Sequence, residues 1–195
     1  MIGRILQPLP MPSRSVNRRS GRLLPRQSWP LLCFLILLSL AACTDATQRW
    51  REKADDAYAT GDYPVAAEAY AKVLVLDETQ TEARFFLAVC QQLSGDYAPA
   101  IAGFSRVLEE VPDGYKALLN RGHCHYATAD FAAARDDYAS VLELEPGYGL
   151  ALNPLAHMHF YLGDTALACR TLKEAAASMA AREVDPALRE ACSDY

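Results

Sequence analysis

The chain has 195 residues, 19 Lys and Arg against 24 Asp and Glu, a formal net charge of −5, and 51% hydrophobic residues. That length and apolar content can supply a core without disulfide staples, which excludes a small cystine-dependent scaffold. The acidic balance excludes the basic footprint of a nucleic-acid binder.

Residues 1–42 contain Arg4, Arg14, Arg18, Arg19, Arg22 and Arg26 with no acid, and then an apolar run from Trp29 to Leu40. A basic flank, a short apolar core and small residues after it predict an export signal, because such a run is too short for a comfortable membrane span. An uncleaved anchor is the alternative. Leu40-Ala41-Ala42-Cys43 follows at once. At this point the chain resembles bacterial lipoproteins, whose signals end in Leu, two small residues and a Cys that is diacylated and becomes the mature N-terminus. The resemblance implies lipidation of Cys43, since two or more acyl chains give durable anchorage; a secretory signal with an incidental Cys is the competing reading. Thr44 after the Cys is similar to an outer-membrane address, so the expected site is the periplasmic face of the outer membrane, with inner-membrane anchoring as the alternative. Ser20-Gly21 after Arg18-Arg19 favours general secretion over twin-arginine export, and initiation at Met11 would only shorten the leader. Removing residues 1–42 leaves 13 Lys and Arg against 24 Asp and Glu, a body near −11.

From residue 47 onward the sequence keeps one beat. Gly61-Asp62-Tyr63, Gly95-Asp96-Tyr97, Ala129-Asp130-Phe131 and Gly163-Asp164-Thr165 recur every 34 residues, defining units 47–80, 81–114, 115–148 and 149–182 without insertions. Each unit holds two apolar-periodic stretches separated by the small-Asp turn, which predicts a helix pair. Small residues stand at the eighth place (Ala54, Ala88, Gly122, Ala156) and the twentieth (Ala66, Ala100, Ala134, Ala168), where paired helices must approach closely. Large ones fill the twenty-fourth: Tyr70, Phe104, Tyr138 and Leu172. Asp62, Asp96 and Asp130 are placed to cap the second helices. In unit four, Asn153-Pro154 falls inside the expected first helix; a late start with Asn153 as cap and Pro154 in the first turn is favoured over a kinked full-length helix. After Arg182, Asp185-Pro186 begins a short helical stretch to about Ser193, read as a lid on the last unit. Residues 43–46 form the acylated N-terminus and a short tether, and 183–195 the capping helix and tail.

Together with Trp50, Pro112 and Pro146, these positions resemble the tetratricopeptide repeat. The resemblance implies an all-α fold, a right-handed superhelical solenoid of antiparallel helix pairs, and a concave groove lined by the second, fifth, ninth and twelfth places of the first helices. Carried over place by place, it nominates Arg51, Asp55 and Tyr58; Glu82, Phe85, Val89 and Gln92; Lys116, Leu119, His123 and Tyr126; and Asn153, His157 and Phe160. Tyr58, Phe85, Tyr126 and Phe160 suit a protein or peptide partner with apolar anchors; packing of some of them within the array is the bland reading. The family's clamp for a terminal carboxylate is not reproduced, since its Lys/Asn pair is Arg51 and Asp55 in unit one and Phe85 and Val89 in unit two. Chaperone-tail binding is therefore not expected.

Cys90, Cys124 and Cys192 share the tenth place, where unit four has Met158, and read as interchangeable small core residues. His123 and His125 recur in register as His157 and His159. Residues two apart do not share a helix face, so these read as groove and packing histidines and no metal is expected. With no Ser-His-acid order, Gly-rich phosphate loop or dense ligand cluster, neither catalysis nor a cofactor is expected. The expected function is a membrane-anchored periplasmic scaffold for an envelope machine. Its length and short linker resemble outer-membrane lipoproteins of type IV or Flp pilus assembly, which help secretin or pilus components assemble. An adaptor that regulates a peptidoglycan hydrolase or synthase is the alternative. The sequence leaves oligomeric state open.

Overall fold

The computed structural model describes residues 45–177 and 186–193. The leader, the lipidation motif with Cys43 and the Asp185 cap lie outside the described residues. Among those described, all regular structure is helical: α1 (45–59), α2 (Tyr63–Leu76), α3 (Thr81–Leu93), α4 (Tyr97–Glu110), α5 (Tyr115–Ala127), α6 (Phe131–Leu144), α7 (Gly149–Tyr161), α8 (Thr165–Ala177) and α9 (Pro186–Ala191). Helices α3, α5 and α7 start on the first residue of their units, and α2, α4, α6 and α8 on the seventeenth. The 34-residue beat is thus a beat of helix pairs. Residues 45 and 46, assigned to the tether from sequence, are already helical.

Turn chemistry explains the pairing. Gly61, Gly95 and Gly163 have φ of 79°, 84° and 88°, the left-handed conformation that reverses the chain between paired helices, and Ala129 adopts φ 60° at the equivalent place. The next residue caps the second helix. Asp62 accepts from the Val65 amide at 3.3 Å, Asp130 from Ala133 at 3.2 Å and Asp164 from Leu167 at 3.1 Å. Asp96 departs from the expected pattern, with no side-chain cap bond. The residue three places on is Pro99, which has no N–H to donate.

The core is built at the junctions. Ala54, Ala66, Ala69, Tyr70 and Val73 of α1 and α2 join Ala83 and Cys90 of α3 in one apolar cluster. Ala100, Phe104 and Val107 of α4 join Ala88 with Ala117 and Cys124 of α5, and Tyr138 and Val141 of α6 join Leu119 with Ala151, Leu155 and Met158 of α7. Each second helix is thereby buried against its own partner and the next unit's first helix, as a solenoid requires. The small residues are needed sterically: a Cβ on Gly122 would lie 2.9 Å from the Tyr138 ring. Beneath this junction Arg121 forms a two-pronged bond to Asp137 at 3.0 and 2.7 Å and reaches Ser105 at 3.0 Å. Asp137 is 5% exposed, so the pair offsets an otherwise costly buried charge.

Two expectations fail. Helix α7 does not start late; it runs from Gly149 with Pro154 inside it. The proline removes one backbone bond, but Ala151, Leu152, Leu155, Ala156 and Met158 are all buried, and this apolar face, in register with the other units, holds the full-length helix. Cys192 is not a free core thiol; it is disulfide-bonded to Cys169 with Cα atoms 5.3 Å apart. The short α9 brings it there by inserting Leu188, fully buried, against Ala156 and Ala168. Cys90 and Cys124 are free and buried, and burial pushes both thiols up to about 11.

Candidate partner-binding face

The nominated groove residues fall into two groups. In the first half of the array they are occupied by their own neighbours. Arg51 bonds Gln80 at 3.1 Å and pairs with Glu82, so neither charge at the first junction is idle. Asp55 accepts the Tyr70 hydroxyl at 2.7 Å. Burial, then this bond, raise the Tyr70 phenol pKa far above its ordinary value. Tyr58 packs on Tyr63 and Phe86 with ring centroids 5.9 and 5.5 Å away, and Phe85 packs edge-on against Phe104 at 5.7 Å. Val89 is half-buried against the second core cluster. Gln92 keeps a buried Oε1 that has no hydrogen-bond partner among the described residues.

From the second unit onward part of this face is open, even where a residue such as Phe85 also packs on a neighbour. A cavity of about 370 Å³ between α3, α4 and α5 is lined by Glu82, Phe85, Val111, Gly114 and Lys116. A second, of about 240 Å³, lies between α5, α6 and α7 and brings together His123, Tyr126, Asn153 and His157. Tyr138, Pro154 and Met158 complete its wall. Tyr126 is 45% exposed and leads into an aromatic platform, with Phe131 and Tyr161 at 6.1 and 6.4 Å and a stacked Phe131–Tyr161 pair at 4.9 Å. Burial holds His123 below its ordinary imidazole pKa.

Two nominated residues are placed elsewhere. Leu119 is 8% exposed and belongs to the core with Ala151 and Leu155, because α7 covers the fifth place of unit three. Phe160 packs against the cluster of Ala156, Ala168 and Leu188 at the α9 end. Sequence reading missed Tyr138, Pro154 and Met158 as cavity walls; the polar hydroxyl at a core place of unit three, beside histidine at the ninth place, was the available signal for Tyr138. Among the described residues no group of three or more His, Cys, Asp or Glu side chains could hold a metal ion, and no helix is long and apolar enough to cross a membrane.

Stacked helix pairs with an open first-helix face define an α-helical repeat protein of the interaction-scaffold class. The tetratricopeptide repeat model matches residues 51–114 and 94–149, together just over half of the chain, and the protein belongs to that family. Among curated proteins nothing matches. Among solved structures, MamA from Desulfovibrio magneticus RS-1 is similar with a TM-score of 0.66 at 15% identity, covering 70% of this chain and 77% of that one. The first tetratricopeptide domain of Spaghetti (RPAP3), bound to the HSP90 peptide SRMEEVD, gives 0.57 at 24% identity over 60% and 94%. The second such domain of human RPAP3, in complex with the HSP70 peptide SGPTIEEVD, gives 0.55 at 20% identity over 60% and 97%. At these identities the likeness shows the fold.

Proposed function

We propose that this chain is a lipid-anchored scaffold of the bacterial envelope, without catalytic activity, that holds a protein or peptide partner on its first-helix face and serves pilus or secretin assembly. The observation that carries the reading is the pair of cavities along this one face, each lined by nominated groove residues and an aromatic side chain. Peptide complexes of the RPAP3 domains support a peptide as the class of partner. Their chaperone-tail chemistry does not carry over, because Arg51 and Asp55 are engaged internally and Phe85 and Val89 are apolar. For the compartment, the lipoprotein motif ending at Cys43 is joined by the Cys169–Cys192 disulfide, a bond that persists in oxidising surroundings such as the periplasm.

The test is cross-linking of the full chain in intact membranes. A secretin or pilus component should be recovered, with recovery falling roughly tenfold in a Tyr126→Ala/His157→Ala variant, while Cys43→Ser should release the protein from the membrane fraction. Undiminished capture by the folded double variant would sink the face assignment; recovery of a peptidoglycan hydrolase or synthase instead would move the protein to control of a cell-wall enzyme.

A further inference from the structure

In a solenoid each first helix turns one flank to the second helix of the preceding unit. At the third place of the later units that flank is Ala83, Ala117 and Ala151, each in a core cluster with α2, α4 and α6 respectively. At the tenth place it is Cys90, Cys124 and Met158, also buried. Unit one has no described helix before it, and the same flank of α1 is rewritten: Arg49 takes the third place, Lys53 the seventh and Asp56 the tenth. A terminal face stays soluble with polar residues of either sign. Here both cations stand toward the start of the helix, in a body whose charge after residue 42 is near −11.

Arg49 and Lys53 are exposed, and with Ala46 and Trp50 they border a hollow of about 380 Å³ along α1. Lys53 Nζ lies 4.9 Å from the centroid of the Trp50 ring, which is half-buried against the first core cluster. Arg49 reaches Asp45 at 3.0 Å, an exposed pair of the kind that adds little stability. Glu52 accepts from Gln48 at 3.0 Å, and among the described residues no carboxylate pairs with Lys53. Chain length adds a distance. Cys43 precedes Asp45, the first residue of α1, by two positions, a reach of about 7 Å at most.

We infer that this flank of α1 docks on the anionic phospholipid headgroups of the membrane that the acyl chains on Cys43 enter. This deepens the proposed lipid anchorage and rests on it. Lys and Arg beside an anionic surface are drawn to its phosphates, and tryptophan favours the boundary between headgroups and acyl chains. The remainder of the acidic body is repelled by the same surface. Unit one is thereby the membrane-facing end of the array.

The full chain has two tryptophans, so Trp29→Phe makes its fluorescence report on Trp50 alone. This chain is reconstituted into vesicles of brominated phosphatidylcholine, with or without roughly one-third phosphatidylglycerol, and quenching of Trp50 is followed. Quenching should be about twofold stronger with the anionic lipid, and the excess should vanish at high salt and in Arg49→Glu/Lys53→Glu. Acids near a helix start do not oppose its dipole, so this variant keeps α1. Arg49→Lys/Lys53→Arg should keep the excess. Equal quenching in both vesicles, or an excess undiminished in the Glu variant, would overturn the docking face. Release of Cys43→Ser from membranes, while the anchored chain shows no excess, removes the docking face and leaves the anchor. Excess quenching of a chain whose Cys43→Ser form stays in the membrane fraction keeps the docking face and removes the acyl anchor.

Discussion

Unit one uses its groove places on itself, whereas the later units leave several of theirs to cavities. The difference lies in what stands across each junction. Arg51 meets Gln80 and Glu82, and Asp55 meets a phenol, so the first pair of ninth and fifth places is closed by internal bonds. At the equivalent places further on, Asn153, His123 and His157 meet Tyr138, Tyr126 and Pro154, and the space between them remains open. An identical helical frame thus produces a sealed surface at one end and a receptive one at the other. What differs between the two ends is the pairs of residues across units, not the repeat itself.

Several substitutions sharpen or break this contrast, and the largest effect belongs to the far end. Replacing Cys169 by Ser opens a disulfide that closes 23 residues and should cost about 2–4 kcal/mol. Hydrogen exchange should show the loss in α8 and α9 while α1 to α4 keep their protection; a uniform loss would mean that the two halves are not separable. Asp137→Ala strands Arg121 beneath the open half. A fully buried pair costs about 3–5 kcal/mol to break, and because Arg121 keeps 24% of its side chain in water we expect about 2–3 kcal/mol by denaturant unfolding.

Asp55→Ala should cost about 1–2 kcal/mol, since it leaves the buried Tyr70 hydroxyl without its acceptor. Its complement is His123→Asp, which puts at the ninth place of unit three the acceptor that Asp55 provides in unit one and should narrow the second cavity, weakening partner cross-linking in membranes while the fold survives. The smallest change is stabilising. Ala129 holds a left-handed conformation that Gly61, Gly95 and Gly163 hold without strain, so Ala129→Gly should add about 0.5–1 kcal/mol.

Most of the frame was legible in the sequence because it repeats. A small-Asp turn every 34 residues placed the helix starts, and the eighth and twentieth places marked the close helix contacts that Ala54, Ala66, Ala88, Ala100 and their equivalents make. What was not legible depends on single neighbours. Pro99 disarms the Asp96 cap from three residues away, a local conflict visible in sequence but easily passed over. Pro154 reads as a helix start by propensity, and only the burial of α7 on its neighbours reverses that reading. The Cys169–Cys192 bond required knowing how α9 folds back, which spacing does not state. Tyr138 shares a place with Phe104 and so looked like plain core, although it also forms a wall of the cavity.

The central claim is that partners are held by the second half of the first-helix face. A photo-reactive amino acid placed in turn at Asp55, Lys116, Tyr126 and His157 of the full chain in intact membranes tests it most directly. The account predicts one partner band at Lys116, Tyr126 and His157 and none at Asp55. A band at Asp55 alone, or equal bands at all four, would contradict it.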